Sequence, residues 1–175
     1  NIVKQLILQK IVNKCIILDT FTGYVNPVKD NFTDFRKLRF ENFKKIVVER
    51  GDAKDFRLTY KIIKKYKPQY IFHTAAVPLA KIDNLNAKEA KEGSADTTTN
   101  ILETINFYKN NNKKYDLKRF VYFSSSMVYG DFKGNKAYEN DMLSPKEIYG
   151  TMKLTGEIIT KGLCGFFKIP YTIVR

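Results

Sequence analysis

Apolar residues along the chain recur in two alternating patterns, one with a helical period and one with the continuous runs of buried strands. Ile2, Val3, Leu6 and Ile7 share one helical face, so the chain is expected to start within a helix. The run 14-KCIILD-19 predicts a short strand ending in an acid, and 45-KIVVE-49 predicts a second, with a polar loop carrying Pro27 between them. Asp55 is placed to start a helix in which Phe56, Tyr60, Ile63 and Tyr66 recur at three- and four-residue steps until Lys67-Pro68 closes it. A third strand is expected over 69-QYIFHTAA-76. A long helix over 94–109 follows, burying Ile101, Leu102, Ile105 and Tyr108. After the loop 110-NNNKKYD-116, the run 119-RFVYFSS-125 predicts another strand. A helix from Ile148 to about Leu163, with Leu154, Ile158 and Ile159 as its apolar stripe, leads to a last strand at 170-PYTIVR-175.

Continuous apolar strands separated by helices imply a parallel sheet covered on both faces. The predicted class is therefore α/β, a doubly wound parallel sheet of Rossmann type, with residues 1–175 forming one partial domain. In such sheets a glycine-rich loop precedes the first strand-end acid by about 20 residues, and counting back that far from Asp19 reaches the start of the chain. The strand before that loop is central, and its loss would leave buried backbone groups unpaired at about 1 to 3 kcal/mol each. The expectation is a fragment lacking the first strand, the glycine loop and a substrate-binding C-terminal part.

Composition narrows the function classes. The chain carries 31 Lys and Arg against 18 Asp and Glu, a formal charge of +13 spread along its length, which favours anionic ligands. No zinc-finger spacing, RNA-binding sheet motif or basic heptad region is present, so no nucleic-acid partner is expected. No apolar run reaches the roughly 18 residues of a membrane span, and no membrane partner is expected. Cys15 and Cys164 have no metal-site spacing and read as reduced residues of a cytoplasmic protein.

Ligands of doubly wound sheets bind beyond the carboxyl ends of the strands. Asp19, Asp52, Thr74 to Ala76 and Ser124 to Ser126 occupy those positions. A carboxylate at Asp19 can accept both hydroxyls of an adenosine ribose, although an acid after a strand also occurs by chance. The next residues are Thr20 and Phe21, with no arginine beside Asp19 to meet a 2′-phosphate, which favours NAD over NADP. In 149-YGTMK-153, Tyr149 and Lys153 are four residues apart and stack on one helical face. An ammonium near a phenol favours phenolate, so a pKa near 10 would move toward neutrality and suit a general acid or base. Ser125 would sit beside the same crevice, or the run 124-SSS-126 could simply satisfy backbone groups at a strand end. His73, the single histidine, reads as a packed structural residue rather than a base.

Taken in order, 16-IILD-19, 51-GDAKD-55, 72-FHTAA-76, 124-SSSMVYG-130, 149-YGTMK-153 and 171-YTIVR-175 resemble the extended short-chain dehydrogenase/reductases, specifically the NAD-dependent epimerase/dehydratase group acting on nucleotide sugars. The resemblance implies NAD as cofactor and a nucleotide-sugar substrate. It implies Tyr149 as catalytic acid/base, Lys153 as its partner on the nicotinamide ribose, and Ser125 as the residue that binds the substrate hydroxyl, with Ser126 as a further substrate contact. Asp19 would take the adenosine ribose and Asp52 with Ala53 the adenine, while Thr74, Ala75 and Ala76 would line the cofactor. A homodimer through the helix carrying Tyr149 is also implied. Met127 stands where relatives that eliminate water or carbon dioxide tend to carry an acid. Ser94 and Thr97 replace the family's usual Asn and Gly. The reading is an NAD-dependent nucleotide-sugar epimerase, with a 4,6-dehydratase or reductase, or a non-catalytic nucleotide-binding relative, as the alternatives.

Overall fold

The computed structural model describes residues 2–21, 44–77, 86–132, 134 and 136–175. The polar loop around Pro27 lies outside the described residues. The chain divides into two compact units, Asn1–Asp52 and Ala53–Arg175.

In the first unit, helix α1 (Ile2–Leu8) precedes two parallel strands, β1 (Cys15–Asp19) and β2 (Ile46–Arg50), paired with Cys15 opposite Ile46 and Asp19 opposite Arg50. The Asp19 carbonyl accepts from Gly51 N at 3.0 Å, carrying the pairing one residue beyond β2.

The second unit opens with α2 (Phe56–Tyr66), capped at its start by the Asp55 carboxylate, which accepts from Leu58 N at 3.1 Å. Lys67 ends the helix in the left-handed region at φ 45°, donating its N–H to Ile63 O, and the next residue, Pro68, cannot continue it. Strands β3 (Tyr70–His73), β4 (Arg119–Phe123) and β5 (Tyr171–Val174) form a parallel sheet in that order, with His73 opposite Tyr122 and Phe123 opposite Val174. The crossover from β3 to β4 is one helical run comprising α3 (Ala87–Lys91), a π-helical turn (Glu92–Asp96) and α4 (Thr97–Asn111). The crossover from β4 to β5 contains a 3₁₀ turn (Ser126–Tyr129) and α5 (Ile148–Phe167). Parallel neighbours joined through helices are the βαβ arrangement expected from the sequence.

The core collects Ile63 of α2, Ile101, Leu102, Ile105 and Tyr108 of α4, Phe120 and Tyr122 of β4, and Cys164 of α5. The α4 stripe is the one expected. The α5 stripe holds only in part: Ile159 packs against the core and Leu154 is half-buried, but Ile158 is 62% exposed, and Gly150, Lys153, Gly156, Glu157, Thr160 and Cys164 face inward. The inward face of α5 is small and polar because it lies hard against β4. A Cβ on Gly156 would stand 2.6 Å from Cζ of the fully buried Tyr122 and closer still to its hydroxyl. Gly156→Ala gains about 1 kcal/mol in helix propensity but overpacks a closed site, for a net loss of about 1 to 2 kcal/mol. A lower urea midpoint at unchanged slope is the expected result.

Candidate active site

Three consecutive residues at the carboxyl end of β4 meet three residues of α5 spaced one turn apart. Phe123 O accepts from Lys153 Nζ at 2.7 Å and Ser124 Oγ donates to Glu157 Oε1 at 2.5 Å, while the Ser125 hydroxyl lies near enough to the Tyr149 phenol to act on its ionisation. Residues 149, 153 and 157 follow one another at i, i+4 and i+8, so they rise along one face of the helix. The turn after Ser125 is drawn onto the start of α5 at Gly150, where a Cβ would lie 2.6 Å from Met127 O. Ser125 itself accepts from Met127 N at 3.2 Å and starts that turn.

Lys153 is 3% exposed, and its Nζ lies 5.4 Å from the Tyr122 ring centroid and 5.9 Å from that of Tyr149. Burial disfavours the ammonium and brings its pKa down to about 8. The sequence reasoning placed the Tyr149 phenol nearer neutrality, and the structure reverses that direction. Burial raises it above the ordinary tyrosine value, and the Ser125 hydroxyl offsets only part of the rise. The amine lies beside the ring but is directed to a backbone carbonyl, so burial outweighs it.

His73 is buried, with Nε2 3.1 Å from Thr98 Oγ1 and 3.4 Å from Thr97 Oγ1, and its ring stacks on Phe120. Burial, with the Lys153 charge adding to it, lowers its pKa to about 3, so the ring is a neutral packing element. Beyond it, Thr74 is exposed and Ala75 and Ala76 are half-buried after the end of β3. Ala53 O accepts from Asn100 Nδ2 at 2.6 Å, which ties the turn before α2 to α4. Ser126 is exposed at the start of the 3₁₀ turn. In the first unit, Asp19 is half-buried at the end of β1, with Oδ1 accepting from Phe21 N at 2.8 Å, and Asp52 is half-buried after β2.

Two charged residues escaped the sequence reading. Glu157 is completely buried, and Arg175, just past β5, grips it with Nε on Oε1 at 2.8 Å and Nη2 on Oε2 at 2.7 Å. Arg175 Nη1 also donates to Tyr129 Oη at 3.0 Å and to Glu139 O at 2.9 Å. Burial alone would push the Glu157 carboxyl up, but the bonds from Arg175 and Ser124 outweigh it and hold the pKa below the usual range. A carboxylate four residues after Lys153 on the same helical face was the available signal. Beside this network a cleft of about 540 Å³ opens, lined by Tyr129, Phe132, Lys136, Tyr138, Met142 and Lys146 among others. Among the described residues no helix is long and apolar enough to cross a membrane.

Residues 13–175 match the model of the NAD dependent epimerase/dehydratase family. The chain is 28% identical over 174 residues to a dTDP-D-glucose 4,6-dehydratase of Dictyostelium discoideum, covering 93% of this chain and 37% of the relative. Over 63 residues, 36% of this chain and 20% of the relative, it is 41% identical to an uncharacterized UDP-glucose epimerase, YtcB, of Bacillus subtilis. Among solved structures, UDP-glucuronic acid 4-epimerase from Bacillus cereus, in complex with UDP-glucuronic acid and NAD, superimposes with a TM-score of 0.79 at 22% identity, covering 98% of this chain and 50% of that one. DesIV, a dTDP-glucose 4,6-dehydratase from Streptomyces venezuelae with NAD bound, gives a TM-score of 0.80 at 19% identity, covering 98% and 49%. The chain thus spans about half the length of these solved relatives and 37% of the Dictyostelium dehydratase.

Proposed function

The chain belongs to the NAD-dependent epimerase/dehydratase family, and from that premise we propose that the full-length protein is an NAD-dependent nucleotide-sugar 4-epimerase in which Tyr149 is the acid/base. One observation carries the reading: the end of β4 and one face of α5 bring Ser125, Tyr149 and the buried Lys153 together.

The residues fit NAD. Lys153 Nζ has three hydrogens and gives one to Phe123 O, so it keeps donors for ribose hydroxyls. In the first unit Asp19 would take the adenosine ribose and Asp52 the adenine; in the second, Ala53 would join the adenine contact and Thr74, Ala75 and Ala76 would line the cofactor. Bound NAD supplies a hydride acceptor and, on its oxidised ring, a positive charge. Ser125 would donate to the reacting hydroxyl and fix it against Tyr149, with Ser126 as a further substrate contact. Tyr149 would remove the hydroxyl proton as the C4 hydrogen leaves, then return a proton to the same oxygen after the keto sugar has turned over. Lys153 would orient the ribose and favour the phenolate. The cleft is lined by Tyr129, Tyr138, Lys136 and Lys146 together with Asp131 and Asp141, Lys146 being paired with Asp131, so aromatic faces suited to a sugar stand beside charges of both signs.

Epimerisation is favoured over dehydration by the turn that follows Ser125. Loss of water requires a second proton transfer at C5 and an acid for the departing hydroxide, yet the turn reads Ser126-Met127-Val128-Tyr129, with no carboxylate. The similarity to the Dictyostelium dehydratase favours the other outcome, so the test must separate them. The full-length protein is incubated with NAD and UDP-hexoses or dTDP-glucose, and the products are resolved by chromatography and mass spectrometry. The expected result is a C4 epimer of unchanged mass with no build-up of reduced-nicotinamide absorbance. A product lighter by one water establishes a dehydratase, and net cofactor reduction a dehydrogenase. Exposed Ile148, Ile158 and Phe166 lie on the side of α5 away from Gly150, Gly156 and Cys164, which supports a homodimer paired through this helix.

A further inference from the structure

We infer that Glu157 is a positioning residue that, acting through Ser124, sets the height of the β4 end against α5 and thereby the alignment of Ser125 with Tyr149. The inference rests on the acid/base role proposed for Tyr149 and adds a residue to that site.

The argument is geometric. Residues 123, 124 and 125 are consecutive: the first two are hydrogen-bonded to Lys153 and Glu157 on successive turns of α5, and Ser125 acts on Tyr149 one turn earlier. Residues 149, 153 and 157 share one side of the helix, and the strand end meets them with a backbone carbonyl at Phe123 and the side chains of Ser124 and Ser125. Of the three contacts, the one at Ser124 is made by a completely buried carboxylate with both oxygens engaged by Arg175. A fork-shaped guanidinium on a carboxylate fixes position more sharply than a lone hydrogen bond. Arg175 follows β5, whose neighbour is β4, and Val174 O accepts from Ser124 N at 2.7 Å. Ser124 is therefore held at its backbone by β5 and at its hydroxyl by Glu157. Ser125, the next residue, has little freedom left.

Glu157 touches neither reacting residue and should influence kcat without touching substrate. The test is a double-mutant cycle in the full-length protein with Glu157→Gln, Ser124→Ala and the pair. Glu157→Gln preserves volume, and Ser124→Ala leaves the ion pair with Arg175 intact, so a folded variant is available on either route. Expected is a fall in kcat of roughly 10- to 100-fold in each single variant, with KM within about twofold. The pair should be little worse than either alone, because both act through one contact. A second readout does not need turnover: the ¹³Cζ resonance of Tyr149, assigned by its loss in Tyr149→Phe, should be displaced similarly by both single variants at neutral pH. Additive effects on kcat, or an unmoved Tyr149 resonance, overturn the inference. If no nucleotide sugar is turned over, the epimerase reading fails and the resonance alone decides the positioning.

Discussion

Tyr149→Phe in the full-length protein is expected to lower kcat by about 100- to 10,000-fold, the range associated with loss of a positioned general acid or base. The substitution removes one oxygen from a half-buried ring and leaves the ring's packing in place, so NAD affinity and thermal midpoint should change little. The phenol is held above its ordinary pKa by burial, so the chain's own groups keep it protonated at neutral pH. Wild-type kcat should therefore rise with pH on the limb governed by this group, and that limb should vanish in the variant. Initial rates across pH, together with cofactor binding by calorimetry, check both parts. Retained turnover with an unchanged pH profile would remove Tyr149 from the chemistry and leave Ser125 and Lys153 as binding groups only.

The parts of this molecule that were legible in the sequence are those whose residues obey a local rule. Asp55 caps α2 and Lys67-Pro68 ends it, because side-chain capping and proline's missing N–H act within a few residues. The strands appear where continuous apolar runs stand, although β3 stops at His73 rather than at Ala76. The α4 stripe of Ile101, Leu102, Ile105 and Tyr108 is buried as its spacing requires. What escaped was decided at longer range. The long helical run starts before Ser94, because Asn86 caps α3 and a π-helical turn joins it to α4. On α5 the hydrophobic rule held for Leu154 and Ile159 and failed for Ile158. Its apolar Ile158 points outward, while Lys153, Glu157 and Thr160 are buried, since this helix covers a polar site and approaches Tyr122 across Gly156. Within 149–164 the one hint of a buried Glu157 is its place four residues after Lys153, and its partners Ser124 and Arg175 lie 33 and 18 residues away. The direction of the Tyr149 shift was misjudged for a related reason: spacing reveals that an amine is near, whereas burial and the bond to Phe123 O are tertiary facts.

Lys153→Met is expected to have opposite effects on activity and on stability. Turnover should fall at least about 100-fold, because an unbranched apolar chain of similar length can neither hold a ribose hydroxyl nor favour a phenolate. Stability at neutral pH should rise. The ammonium is driven down to about 8 by burial, against 10.5 for the free group, so folding at pH 7 carries the cost of keeping a charge where it is disfavoured. Below pH 8 both folded and unfolded chains are protonated and that cost is fully present. Between 8 and 10.5 the unfolded chain still binds the proton the folded one has released, so wild-type stability climbs with pH. Above 10.5 the cost is gone. Its size at pH 7 is up to about 3 kcal/mol, and leaving Phe123 O without its partner returns about 1 kcal/mol of it. Urea midpoints should therefore place the variant about 1 to 2 kcal/mol above wild type at pH 7, with the gap closing or reversing by pH 10.5. A variant less stable than wild type at both pH values would mean that the amine is a structural tie, and its burial would then be no sign of a function bought at the expense of stability.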